Sequence, residues 1–229
     1  MVITKNLLII TTNFSGKYCE QEDSHCIKET GVYLEEFAVP YLIFEKSNIN
    51  MEVVSLEGGL SPIDKNSISC SNPDDWDKCI KILRNTRRIY DIDYKMYDGV
   101  YFPGGHGPLF DIANSNLIAE IVEYFYNSGK LVSAICHGVV ALINAKTTCG
   151  NPIVHNKRVT SFTNKEEDIA KMSEMVPLSI ENELKNRGAD YIEFKPWAEH
   201  VEVDGNIITG QNQNSATLIA EKILEFFAE

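Results

Sequence analysis

The chain has 229 residues, 44% of them apolar and 24% charged, and a formal net charge of −12. That length suits one large α/β domain, and the acidic balance argues against nucleic acid, whose phosphates need clustered Lys and Arg. No apolar run is long enough to cross a bilayer, and MVITKNLLIITT lacks a small-residue cleavage site, so the N-terminus reads as a first strand and the compartment as cytoplasmic.

In chain order, residues 6–12 predict the first central strand, residues 31–46 a helix and residues 51–56 a strand. Residues 57–98 form a polar insertion. Within it, 74–88 predict a helix, with Asn72 as its cap and Pro73 in the favoured first turn. Residues 98–102 are a strand that stops at PGGHG. Residues 116–127 are an amphipathic helix closed by Ser128-Gly129, residues 131–135 a strand and 137–145 a helix. A strand over 158–162, a helix over 179–187 closed by Gly188, and a strand over 191–194 follow. The pair 201–203 and 206–209, turning at Asp204-Gly205, completes the sheet, and the last helix covers 214–227. Strands alternating with helices predict a mainly parallel sheet sandwiched by helices, with its site outside the carboxyl ends of the strands. The loops PGGHG after Phe102 and CHG after Ile135 should then face one crevice.

Six cysteines (Cys19, Cys26, Cys70, Cys79, Cys136 and Cys149) include no C-x-x-C pair, so reduced thiols are expected rather than a disulfide framework. No Cys or His cluster has zinc-ligand spacing, so neither metal nor cofactor is expected.

Cys136 sits in AICHG, between a buried strand and a helix start. This is the nucleophile-elbow arrangement with alanine in the first glycine position. Helix amides beneath the sulfur should favour a thiolate and lower its pKa. His137 can orient or deprotonate that thiol if a third group fixes its ring. In the helix over 31–46, spacing places Glu36 as the single charge on a line with Val32, Val39 and Ile43. A carboxyl held among apolar groups has a raised pKa and suits acid/base work. In PGGHG, the backbone amides of Gly104, Gly105, His106 and Gly107 can join that of His137 as an oxyanion hole, and His106 either touches substrate or caps the next turn.

The stretches TGVYLEE (30–36), PGGHGPLFD (103–111), AICHG (134–138), VTSFTNKEED (159–168) and PWAEHVEVDGNIITGQNQNSA (196–216) carry a resemblance. The chain resembles the ThiJ/PfpI superfamily, with its flavodoxin-like, class I glutamine-amidotransferase-like fold. Within it the chain is similar to the heat-shock-protein-31-like branch, the glutathione-independent glyoxalases (glyoxalase III). The resemblance implies Cys136 as nucleophile with His137 beside it, Glu36 as the buried acid at the thiol, and Gly105 and His137 as oxyanion amides. It implies Glu167 as the acid that orients His137, with Glu166 as the competitor, and makes the insertion over 57–98 a wall of the pocket. The implied reaction converts methylglyoxal or a related 2-oxoaldehyde to a D-lactate-type hydroxy acid through a cysteine hemithioacetal. Relatives are also described as deglycases of glycated proteins and as holdases for unfolded proteins under stress, and are commonly homodimers; a low-pKa thiolate at Cys136 could also oxidise to a sulfinic acid as a redox sensor. His200-Val-Glu202 imitates the end of a glutamine-amidotransferase triad, which keeps that class and peptidases as a further alternative, although the pair lies in an alternating strand pattern.

Overall fold

The apolar run NLLIIT forms β1 (Asn6–Thr11), whose Leu7, Leu8, Ile9 and Ile10 are all fully buried. Burial of both strand faces is the mark of a central parallel strand. The structure, a computed structural model, describes residues 4–16, 29–69 and 73–229. The next elements are α1 (Leu34–Lys46), β2 (Asn50–Ser55), α2 (Trp76–Leu83), β3 (Arg87–Arg88), β4 (Gly99–Phe102), α3 (Asn116–Asn127) and β5 (Leu131–Ile135). Then come β6 (Arg158–Val159), α4 (Asn164–Ala170), α5 (Ile180–Asn186), β7 (Asp190–Tyr191), β8 (Val201–Asp204), β9 (Ile207–Gly210) and α6 (Ala216–Ala228).

Seven strands build one sheet in the order β3-β2-β1-β4-β5-β9-β8. All neighbours run parallel except β8, which folds back antiparallel on β9. This is the mainly parallel, helix-covered sheet that the sequence predicts. Alternation along β1 divides the core: Leu8 and Ile10 pack with Ile121 and Phe125 of α3, whereas Leu7 and Ile9 pack with Phe37 of α1 and Ile223 of α6. Phe102 of β4 is in register with Ala134 of β5, so the two loops that follow these strands leave the sheet side by side. No helix among the described residues is long and apolar enough to cross a membrane.

Four elements depart from the sequence reading, two of them where a tertiary bond overrides local pattern. The helix predicted over 74–88 ends at Leu83. Thr86 pairs by backbone with Gly59 and by hydroxyl with Ser55 (2.7 Å), which draws Arg87–Arg88 onto the sheet edge beside β2. Its predicted cap, Asn72, lies outside the described residues, as do Cys19, Cys26 and Cys70. The strand predicted over 158–162 stops at Val159, because the amide of Thr160 donates to the Thr209 hydroxyl at 2.9 Å. The strand predicted over 191–194 is reduced to β7 and pairs with β6 as a separate two-stranded sheet instead of completing the main one. The helix predicted over 137–145 is a 3₁₀ segment, Cys136–Leu142.

Candidate active site

At the end of β5 the backbone is extended at Ile135 and then turns left-handed at Cys136, with φ 56°. A non-glycine residue in that region costs about 1–3 kcal/mol and persists where the surrounding fold imposes it. The cysteine is 3% exposed and lines a cavity of about 330 Å³, shared with Tyr33, Gly105, His106, Phe162 and Trp197. Asp64 and Asn66, from the polar segment over 57–98, line the same cavity. Sγ lies 3.2 Å from Nδ1 of His137, and Nε2 of His137 lies 2.5 Å from Oε1 of Glu167.

Glu36, in the first turn of α1, is fully buried. The amide of Gly104 donates to its Oε2 at 2.8 Å. Gly104 has to be glycine here, because a Cβ would stand 2.6 Å from that oxygen and 2.7 Å from the carbonyl of Ile135. The other oxygen, Oε1, is buried without a hydrogen-bond partner among the described residues. Burial pushes the carboxyl up to about 8, against the opposing pull of the Cys136 thiol and the Gly104 amide. A second device fixes the backbone beneath it. Pro40, four residues on inside α1, has no N–H to give the Glu36 carbonyl. The buried Tyr101 of β4 fills the gap, its hydroxyl donating to that carbonyl at 2.6 Å.

The low thiol pKa expected from the elbow does not hold in this state. Burial pushes Cys136 well above the ordinary cysteine value, and the neighbouring Glu36 raises it further. The expectation relied on a helix dipole. The segment after the elbow is a 3₁₀ turn of seven residues, and the His137 amide is the group that pulls the other way. Cys136 therefore rests as a thiol and needs a base to become a nucleophile. Burial also lowers His137, as does His106 beside it, so its imidazole is neutral and Nδ1 is free to accept the thiol proton. Burial alone would raise Glu167, but the two histidines outweigh it and hold the carboxyl ionised.

The sequence leaves Glu166 and Glu167 as competitors for His137, and the structure gives them separate partners. Thr163 caps α4 in a capping box, with Glu166 at the third helical position bonding back to the Thr163 amide (2.9 Å). The same carboxylate accepts from Asn212 Nδ2 (2.7 Å), Gln211 Nε2 (3.1 Å) and the amide of Trp197 (2.9 Å). Glu166 thus ties α4 to the C-terminal loops and holds Trp197 in a left-handed backbone, φ 62°, on the cavity wall. Glu167, one residue on, is the carboxylate that reaches His137. Its second oxygen, Oε2, lies 3.3 Å from Nε2 of His106, whose ring centroid is 4.1 Å from that of His137. His106 makes no side-chain bond to the turn it precedes, Gly107–Leu109.

No local spacing in the sequence suggested a metal, yet the fold collects His106, His137 and Glu167 from three separate segments. One ligand atom from each lies within 4.8 Å of the others. His200 and Glu202 do not join the cavity. They pair with each other at 2.9 Å, and Glu202 also takes Arg158 at 2.8 Å. Tyr33, Phe162 and Trp197 are cavity residues that the sequence reading missed. Phe162 packs on His137 (4.6 Å between centroids) and Trp197 edges onto Phe162 (5.5 Å). A signal existed only for α4, where Thr163-x-x-Glu166 is the capping-box pattern.

The model described as the DJ-1/PfpI family matches residues 26–226. The chain is similar to Glyoxalase 3 of Candida albicans, 32% identical, over 87% of this chain and 91% of that protein. It is also similar to the glutathione-independent glyoxalase hsp3102 of Schizosaccharomyces pombe, 30% identical over 95% of each. Among solved structures, glyoxalase III from Candida albicans superposes with a TM-score of 0.83 at 29% identity, covering 96% of both chains.

Proposed function

The chain belongs to the DJ-1/PfpI family, and from that premise we propose that it is a glutathione-independent glyoxalase acting on methylglyoxal or a related small 2-oxoaldehyde. The observation that carries the reading is one sulfur on a strained turn, open to a cavity, with a neutral imidazole 3.2 Å away and a buried, protonatable carboxyl beside it. A hydrolase needs the first two groups. The third is what a proton transfer between neighbouring carbons requires.

The thiol of Cys136 adds to the aldehyde carbon while its proton passes to Nδ1 of His137, and the imidazolium is held by Glu167. The amides of Gly105 and His137 face the oxygen as charge builds on it. His137 then protonates that oxygen, giving the hemithioacetal. Glu36, acting in its ionised form, takes the proton from the carbon bonded to sulfur and returns it to the neighbouring carbon, ending the cycle as the carboxylate that began it. The hydroxyl proton passes to the second oxygen, leaving the thioester of a 2-hydroxy acid. Water, deprotonated by His137, adds to the thioester; the carbon–sulfur bond breaks, the sulfur recovers a proton and the hydroxy acid leaves. The segment over 57–98 serves as a pocket wall through Asp64 and Asn66. The resemblance to the heat-shock-protein-31-like branch extends the proposal to a cytoplasmic homodimer with a holdase role under stress.

Glutathione-free loss of methylglyoxal by the purified protein, with the product identified, tests the reading. D-lactate is expected, and its formation should vanish in Cys136→Ala. Release of free amine from a glycated protein, or of ammonia from glutamine, with no D-lactate would replace this reading by the deglycase or the amidotransferase. Holdase activity surviving Cys136→Ala would separate that role from the chemistry.

A further inference from the structure

The cluster of His106, His137 and Glu167 has the composition of a cation site, and catalysis requires only part of it. Two imidazoles and one carboxylate are the three protein ligands of an open zinc site, which leaves a position for water. The three donors meet where two cavities adjoin. His106 and His137 line the one that holds Cys136; His137 and Glu167 line a second of about 250 Å³, walled by Ser173, Ser179 and Asn182. An ion therefore has a polar approach. All three side chains are at most 15% exposed, and Glu167 already draws both rings toward itself.

We propose that His106, His137 and Glu167 bind one borderline divalent cation, best matched by zinc, and that an occupied site cannot turn over. Bonds of about 2 Å to zinc place tetrahedral ligand atoms about 3.3 Å apart. The three ligand atoms now lie within 4.8 Å of one another, so binding requires that spread to contract. His137 now gives its Nε2 proton to Glu167. Coordination through Nε2 moves that proton to Nδ1, the nitrogen facing the sulfur at 3.2 Å. Nδ1 then donates to Cys136 and can no longer accept from it, so the base is lost. At the same time Glu167 changes from orienting the ring to holding the ion.

The test is calorimetric titration of the full chain with zinc sulfate in a Cys136→Ser background, which removes the thiol as a competing ligand. Cobalt absorption reports the coordination. One equivalent is expected to bind, with d–d bands but no sulfur charge-transfer band. His106→Ala and, separately, Glu167→Gln should weaken it by more than about 100-fold, beyond the 10–100-fold cost of losing an outer-shell partner. In the unsubstituted protein, zinc should abolish turnover reversibly, with a chelator restoring it. Loss of binding in Cys136→Ser would put the ion on the thiol and overturn the proposal. So would binding undiminished by His106→Ala, or no binding at millimolar zinc. Since binding is measured without substrate, failure here leaves the glyoxalase reading standing, and failure of that reading leaves this one standing.

Discussion

Glu36 and Glu167 flank the same cysteine, one beside its sulfur and one behind its histidine, and they rest in opposite charge states. Glu36 is sealed in the core with only a thiol and one amide facing its carboxyl, so burial keeps its proton on until about pH 8. Glu167 is nearly as buried, but two imidazoles face it and hold it ionised. The difference lies in the neighbours rather than in the residue type. Pairs of acids separated in this way divide into a proton carrier and a fixed charge.

The largest effect is expected from erasing the fixed charge. In Glu167→Gln the amide can donate to Nε2 of His137, which turns Nδ1–H toward the sulfur. By analogy with the wrong-tautomer effect in hydrolase triads, kcat/KM should fall by about 10⁴-fold. A fall of less than about tenfold would show that His137 needs no partner. Next comes Glu36→Gln, which keeps the shape and neutrality of the resting acid but cannot carry a proton. Steady-state assays should show a loss of about 10²–10⁴-fold, together with disappearance of the rise in kcat toward about pH 8 that the carboxylate form imposes on the parent.

The same substitution has a stability signature of definite sign. The folded-state value of Glu36 is raised from 4.5 to about 8, so below pH 4.5 the residue costs nothing. Its cost grows as pH rises through that window and levels above about 8, reaching at most about 5 kcal/mol. Urea unfolding should show Glu36→Gln gaining on the parent across that window, and equal pH slopes would mean the carboxyl ionises freely in the fold. The smallest effect is expected from Tyr101→Phe. It strands the Glu36 carbonyl that Pro40 cannot serve, costing about 1–3 kcal/mol in unfolding experiments, with a fall in kcat larger than any change in KM. An unchanged kcat would reduce Tyr101 to a core residue.

What the sequence disclosed, and what it hid, follows from how far each interaction reaches along the chain. Residues 116–127 and 131–135 match α3 and β5 because helical spacing, the Ser128-Gly129 stop and a continuous apolar run are local signals. The elbow at Cys136 was legible for the same reason. The state of its thiol was not, since it depends on burial and on Glu36, a hundred residues away in sequence. Glu36 was found because a lone charge on an apolar line is visible within one helix, but the reason it stays fixed, Tyr101 answering for Pro40, crosses from α1 to β4. The separation of Glu166 from Glu167 could have been read from Thr163-x-x-Glu166. The meeting of His106, His137 and Glu167 could not, because their spacings of 31 and 30 residues have no periodic signature. Trp197 reaches the cavity through a backbone conformation imposed by Glu166, which no propensity predicts.

The dryness of Glu36 has one further consequence, in isotopic memory. A carboxyl with no solvent exposure trades protons with bulk water slowly, so a proton in its keeping stays put over the interval between two bond-making events. Substrate deuterated at its aldehyde position should therefore yield lactate that retains the label on C2 when turned over in ordinary water. Turnover of unlabelled substrate in heavy water should leave that carbon largely protiated. Proton NMR of the product reads both experiments, and wholesale washout would mean that water enters the chamber between the two transfers.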